Sequence, residues 1–222
     1  MEKIRSNDVK DCFEDELDYS KIGKKVVLSL NEKFKEDFFI KKITNKFGMG
    51  YFDYITCVCS PMNNEKMCFT VIYDFIKDKI IEEDYYIRYM CFELEEYIVS
   101  EFKKEDIESI AKLSIFGKKK LDKKYSVEEF SNEYENNNFL ATIIIKEKVA
   151  KEKIFHLYET IKDSYSNIFL KSIVYVISKE NFYKLLEKTK NIPKLSETVI
   201  KEYGVEKTYI IKIQNNEVIE ID

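Results

Sequence analysis

Apolar residues first recur at helical spacing along this chain and then alternate with polar residues. Ile22, Val26, Leu30 and Phe34 are spaced four apart, which predicts a helix over about Ile22–Phe34. Three segments rich in β-branched and aromatic residues follow, FFIKKITNKF, YFDYITCVC and KMCFTVIYD. Turn residues separate them: Gly48-Met49-Gly50, Pro61 and Asn63-Asn64. The pattern predicts a three-stranded antiparallel meander.

A second helical stripe runs from about Glu83 to Phe102, with glutamates off its apolar face. Its members are Ile87, Met90, Cys91, Leu94, Tyr97, Ile98 and Phe102. A shorter helix is predicted over about Glu105–Ile115. The sequence GKKKLDKK, which begins at Gly117, is the best candidate for a linker.

The second half mixes both patterns. Ser126 with Glu129 three residues later matches a capping box at a helix start. The apolar runs FLATIIIKEK and IFLKSIVYVI predict buried strands, and a helix carrying Ile154 and Ile161 lies between them. Two further helices are predicted after Ser178, the second ending at Gly204, before a closing hairpin of KTYIIKI and EVIEI.

These elements predict an α+β fold. We expect a polar acidic arm over 1–20, an N-terminal unit over 21–117 and a C-terminal α+β unit over 125–222 that ends in the hairpin. The N-terminal unit would pack helices on the three-stranded meander. One continuous domain is the alternative, because the linker is short.

Composition narrows the function classes. The 222 residues carry a net charge of −4, and only Arg5 and Arg88 are arginine among 37 basic residues. This balance argues against nucleic-acid binding, which usually requires a net-basic surface. No apolar run of about 18 residues is present, so no transmembrane segment is expected. The N-terminus lacks a secretory pattern, so we expect a cytoplasmic protein with reduced cysteines.

One stretch resembles a known group of domains. The segments LNEKFKEDFFIKKITNKFGMGYFDYITCVCSP, MCFTVIYD and IEEDYYIRYMCFELEEYI are similar to an uncharacterised α+β domain of Gram-positive bacterial proteins, over about residues 28–102. The resemblance rests on a helix, a three-stranded meander and a helix that opens with Asp84 and Tyr85. It implies this local fold and no activity.

The cysteines form the most specific candidate cluster of functional side chains. With Met49 and Asn63-Asn64 at the centres of the two turns, Phe39 would face Cys59, and Cys59 would face Cys68. Cys57, Cys59 and Cys68 would then share a sheet face, and Cys91 would lie on the helix predicted to cover it. Core packing is the leading interpretation, because free cysteine is a common small core residue. A four-thiolate metal site or a Cys59–Cys68 redox pair are the alternatives.

Other chemistry-bearing residues are sparse. Asp74, Asp78 and Asp84 flank one predicted loop and form a candidate carboxylate cleft. His156, the single histidine, lies off its helical stripe and is expected to be exposed. No phosphate-binding loop is present, because Gly48 and Gly50 lack a third glycine and join two strands. No cofactor is predicted.

The aromatic residues lead to a prediction about protein binding. The chain has 16 tyrosines, and Tyr85 and Tyr89 lie one turn apart beside the core stripe, with Glu93 one turn further. Packing at the edge of the core is the leading interpretation of these two tyrosine side chains, and the alternative is an interface, because exposed aromatic side chains favour protein interfaces. The leading hypothesis is a protein-binding module whose partner is another protein, such as a toxin-neutralising immunity protein. The alternatives are a small-ligand-binding protein or carboxylate-dependent enzyme, and a thiol-dependent metal or redox protein. The oligomeric state does not follow from the sequence.

Overall fold

The computed structural model describes residues 18–45, 54–116, 121–134, 138–165, 167–189 and 192–221. Within these residues the fold is α+β, with six helices and two sheets. The N-terminal elements are α1 (Tyr19–Phe34), β1 (Phe38–Asn45), β2 (Tyr54–Pro61), β3 (Phe69–Asp74), β4 (Lys79–Glu83) and α2 (Tyr85–Lys104). They are followed by β5 (Ser109–Ile115), α3 (Val127–Glu133), β6 (Asn138–Lys146), α4 (Lys151–Ser164), β7 (Phe169–Ile177), α5 (Lys179–Thr189), α6 (Glu197–Lys201), β8 (Val205–Gln214) and β9 (Glu217–Glu220).

The first sheet is antiparallel with the order β1-β2-β3-β4, so the predicted three-stranded meander is wrong by one strand. Strand β4 was not predicted, because it is short and mostly exposed. Its sequence therefore shows little alternation of apolar and polar residues. Asp78, with a φ of 55°, lies in the turn that leads into β4. The predicted register also differs. Cys59 faces Ile40 and Phe69, and Phe39 faces Ser60.

Helix α1 covers the first sheet with the predicted stripe of Val26, Leu30 and Phe34. Its first turn is capped by Asp18, whose carboxylate accepts a 3.0 Å bond from the Lys21 amide. Gly23 lies where the helix meets β1, and a Cβ there would come within 3.4 Å of Ile40. The absence of a side chain therefore permits this close approach.

Helix α2 joins the two sheets. The stripe from Ile87 to Phe102 packs on the second sheet rather than on the meander that it was expected to cover. Its N-terminal end contributes Tyr85 to the core of the first sheet. The segment predicted as a short helix is strand β5, which pairs with β6 in the second sheet. The same buried cluster therefore extends across the predicted linker at about residue 117.

The second sheet has the order β5-β6-β7-β8-β9. Strands β6 and β7 are parallel and joined through α4, whereas the other neighbouring pairs are antiparallel. Helices α2, α3 and α4 pack on one face in the largest core cluster. Helices α5 and α6 pack on the other face in a smaller cluster around Ile144, Tyr175 and Ile177. Residues 1–17 of the acidic arm predicted over 1–20, the Gly48–Gly50 turn and Cys12 lie outside the described residues, whereas Tyr19 and Ser20 belong to α1.

Candidate functional site

Tyr85 is not the exposed aromatic residue that its position beside the stripe predicted. It is fully buried, and its ring lies 4.7 Å from the Phe34 centroid and 5.0 Å from those of Phe38 and Phe69. Its hydroxyl donates a 2.7 Å hydrogen bond to Glu36 Oε2. Burial, reinforced by this carboxylate, raises the pKa of Tyr85. Tyr85 is therefore a core residue of the first sheet.

The rest of the predicted patch is engaged within the chain. Tyr89 is half-buried, and Lys124 Nζ lies 4.4 Å from its ring centroid. That ammonium also pairs with Glu36 Oε1 at 2.5 Å. Glu93 is exposed, and desolvation raises its pKa although Tyr89 donates a hydrogen bond to it. The contacts link α2 to the segment that precedes α3, so this surface holds two parts of the chain together.

Each of the three candidate aspartates bonds to groups close to it in the fold. Asp74 accepts bonds from the Ile76 and Lys77 amides at 3.1 and 2.8 Å, which fixes the turn after β3. Asp78 forms a 2.6 Å ion pair with Lys25 and accepts a bond from the Tyr73 hydroxyl. Asp84 accepts a 2.6 Å bond from the Thr70 amide. Burial raises the pKa of Asp84, against the opposing effect of that bond and of nearby cations.

Each aspartate therefore holds a local piece of structure. A cleft enzyme would need at least two of these carboxylates aimed at a common space. Their bonding partners lie on α1, on β3 and in the turn between β3 and β4, so each described carboxylate is engaged by groups of its own surroundings.

The four described thiols are all buried, but they do not share one core. Cys57 and Cys59 lie in the core of the first sheet, whereas Cys91 lies in the core of the second. Burial raises the pKa of Cys57 and of Cys91 to about 12. Over the described parts of the chain, no three histidine, cysteine or acidic side chains are grouped as metal ligands would be. In the observed register, the neighbour of Cys59 on β3 is Phe69 and not Cys68.

His156 is exposed on α4, on the side away from Ile154 and Leu157. Its place on the surface agrees with the helical spacing from which it was predicted. Its carbonyl accepts a 3.1 Å bond from the Thr160 hydroxyl.

A buried ion pair lies where the sheets meet, and sequence inspection did not identify it. Arg88 Nη2 lies 2.8 Å from Glu95 Oε1, with side-chain exposures of 1% and 3%. Arg88 also donates to the carbonyls of Cys68 and Leu113, and Glu95 accepts a 2.7 Å bond from the Leu113 amide. The pair therefore ties α2 to β5 and to the start of β3. The spacing of seven residues on one helix could have suggested it.

An apolar groove lies between α1 and β1, and we call it the α1–β1 groove. Its volume is about 700 Å³, and it is open along one side. Apolar atoms of Val27, Leu28, Ile40 and Ile43 line it, and Leu28 is 61% exposed. Every charged side chain in its lining is a lysine: Lys24, Lys41 and Lys42.

The groove runs beside an open sheet edge. Strand β1 pairs with β2 on one side, and no other described strand pairs with it. With eight residues, β1 is longer than the other three edge strands, β4, β5 and β9. A bulge at Lys41 interrupts its register between Ile40 and Lys42. The groove thus combines an edge strand that no second described strand pairs with, an apolar floor and a cationic rim.

Comparisons with known proteins indicate the fold alone. No protein-family model matches the sequence, and no curated protein matches it. The crystal structure of a DUF5037 family protein from Ruminococcus gnavus has a similar fold, with a TM-score of 0.65 over 89% of this chain and 94% of that chain. Sequence identity is 14%. Among the described residues, no helix is long and apolar enough to cross a membrane.

Proposed function

We propose that this chain is a protein-binding module, and that its partner docks an acidic segment with apolar side chains in the α1–β1 groove. The observation that carries the proposal is the conjunction of an open eight-residue edge strand with an apolar groove whose charged lining residues are all lysines. An extended segment can add to such an edge through main-chain hydrogen bonds, while its alternate side chains enter the groove.

Charge decides which occupant fits. A second copy of this chain would bring its own Lys41 and Lys42 against the same residues, and like charges facing each other across strands are destabilising. A bulge and lysines on an edge strand also hinder pairing between identical edges. A partner segment with Asp or Glu beside its apolar residues meets no such repulsion. Toxin-neutralising immunity proteins are one class of protein with a dedicated partner of this kind.

The test uses one substitution in the groove and one matched substitution elsewhere. Leu28→Asp introduces a negative charge on an exposed position of α1, so the fold is expected to tolerate it. Phe116→Asp makes the same kind of change at an exposed position that follows β5, and Phe116 is 70% exposed. Both proteins and the wild type are used to isolate partners from the native host.

A partner that fits the proposal is retained at stoichiometric level by the wild type and by Phe116→Asp, and is lost with Leu28→Asp. Its affinity should fall as salt is raised, because the lysine rim contributes electrostatic attraction. A photoreactive phenylalanine analogue at position 28 should crosslink to an acidic segment of that partner. A partner that binds all three proteins equally, or crosslinks through a basic segment, contradicts the proposal.

A further inference from the structure

A second cavity lies on the face of the second sheet that α5 and α6 pack against. These helices cover Ile110, Ile144 and Tyr175 at one end of the face. Toward the other end of the same face, a pocket of about 300 Å³ lies among the described residues. We call it the sheet-face pocket. Its volume is at the lower end of the range for small-molecule sites.

Three lysines from three separate parts of the chain line the sheet-face pocket. Lys112 comes from β5, Lys171 from β7, and Lys194 from the segment between α5 and α6. Leu140 and Ile173 supply an apolar floor. No acidic side chain belongs to the described lining, although acidic residues outnumber basic ones in the whole chain by 41 to 37.

The surroundings neutralise the lysines only in part, since Glu95 is near Lys112 and the Asp84 carboxylate interacts electrostatically with Lys194. The carboxylate nearest to Lys112 is Glu95, at 3.8 Å, and its other oxygen is engaged by Arg88 at 2.8 Å. No described side chain forms an ion pair with Lys171 or Lys194. The Lys112 side chain is only 14% exposed, so water screens its charge incompletely.

The sheet register adds a further positive charge. Lys171 on β7 is directly opposite Lys212 on β8, and both side chains project from this face. Like charges directly opposite each other on a sheet repel. An anion bound in the pocket would relieve this repulsion, whereas no described carboxylate does so.

We propose that the sheet-face pocket binds a small organic anion, with a phosphate or carboxylate group at the lysines and an apolar body on Leu140 and Ile173. Ammonium groups bind such anions as point charges and need no fixed fork geometry. The hydroxyl of Thr142 lines the same pocket and is available as a hydrogen-bond donor. This site is separate from the α1–β1 groove and does not depend on the proposed function.

Isothermal titration calorimetry on the full chain tests the proposal with three small probes that share a phenyl ring. Phenyl phosphate and benzoate carry the two anionic groups, and benzyl alcohol is the neutral control. We expect one anionic probe to bind with one site per chain and benzyl alcohol not to bind. Preferential binding of phenyl phosphate indicates a phosphate ester as the natural ligand, and preferential binding of benzoate indicates a carboxylate.

Variants locate the site. Lys171→Gln and Lys194→Gln should each weaken binding about tenfold or more, because each removes one of the convergent charges. Lys148→Gln is the matched control, since Lys148 is exposed beyond the opposite end of β6 and should leave binding unchanged. Failure of both anionic probes to bind, or equal binding by all three variants and the wild type, would overturn the proposal.

Discussion

Removal of the Glu95 carboxylate is the most informative single change in this protein. In Glu95→Ala, Arg88 stays buried without the carboxylate that it pairs with, and the Leu113 amide loses its acceptor. Leaving one partner of a buried ion pair uncompensated costs about 3–5 kcal/mol of the free energy of unfolding. For a chain of this length, that loss corresponds to roughly 6–20 °C in melting temperature.

Arg88→Met should cost less than Glu95→Ala. The charge of Glu95 would then still have Lys112, whose Nζ is 3.8 Å from Oε2. The double substitution Arg88→Met with Glu95→Leu should recover part of the loss, because a hydrophobic pair can replace a buried ion pair at little net cost. With Glu95→Leu as the second single variant of the cycle, the loss of stability in the double variant should be smaller than the sum of the two single losses by about 0.5–3 kcal/mol.

Urea denaturation at neutral pH measures all of these values. The chain has 16 tyrosines and no tryptophan, so tyrosine fluorescence and circular dichroism are the two probes. Glu180→Ala is the matched control, because the Lys184–Glu180 pair on α5 is also short, at 2.5 Å, but solvent-exposed. It should cost much less than Glu95→Ala, because solvent-exposed ion pairs contribute little to stability. Equal losses for Glu95→Ala and Glu180→Ala would refute the reasoning from burial.

Three further predictions concern local structure. Ser126→Ala should lower the free energy of unfolding by about 1 kcal/mol, because Ser126 and Glu129 form both bonds of a capping box; urea titration measures this, and an unchanged midpoint contradicts it. Cys57 should react slowly with a thiol reagent at neutral pH in the native protein and rapidly in urea, since burial raises its pKa to about 12; equal rates would argue against it. Backbone N–H bonds from Lys77 lower the pKa of Asp74, so its stabilising contribution is complete above its unfolded pKa and is lost as the pH falls through the lower folded value. The wild type should therefore lose more stability than Asp74→Asn between about pH 5 and pH 2, and parallel curves would exclude the effect.

Local sequence patterns predicted the features that depend on interactions between residues close together in the chain. The capping box at Ser126 and the positive φ of Gly204 are present where the sequence placed them. The apolar stripe of α2 is buried as its spacing indicated. In each case the interacting residues are within one or two turns of each other, so a short segment of sequence contains both partners.

The misassigned elements depend on distant partners. Strand β5 was expected to be helical, yet Ala111 pairs with Ile143, which is more than 30 residues away. Helix propensity depends on the local sequence and gives no information about a distant strand partner. Pairing with that partner overrides the local propensity. Strand β4 likewise exists because Glu82 and Glu83 pair with β3.

The burial of Tyr85 follows from a second stripe on α2. Tyr85, Tyr89 and Phe92 are spaced four and three apart, and all three contact the core of the first sheet. This spacing is visible in the sequence and could have indicated a helix buried on two sides. The lysine pocket, by contrast, depends on the assembly of β5, β7 and the segment before α6, which no local pattern encodes.

The double engagement of α2 has a consequence for how the chain can be divided. A fragment that ended after Lys104 would expose the stripe of Met90, Leu94 and Ile98 to water. A fragment that began at Ser109 would lack the helix that covers its sheet. Neither piece can bury its own apolar surface, so recombination or truncation within this region is expected to yield aggregating products rather than two portable modules.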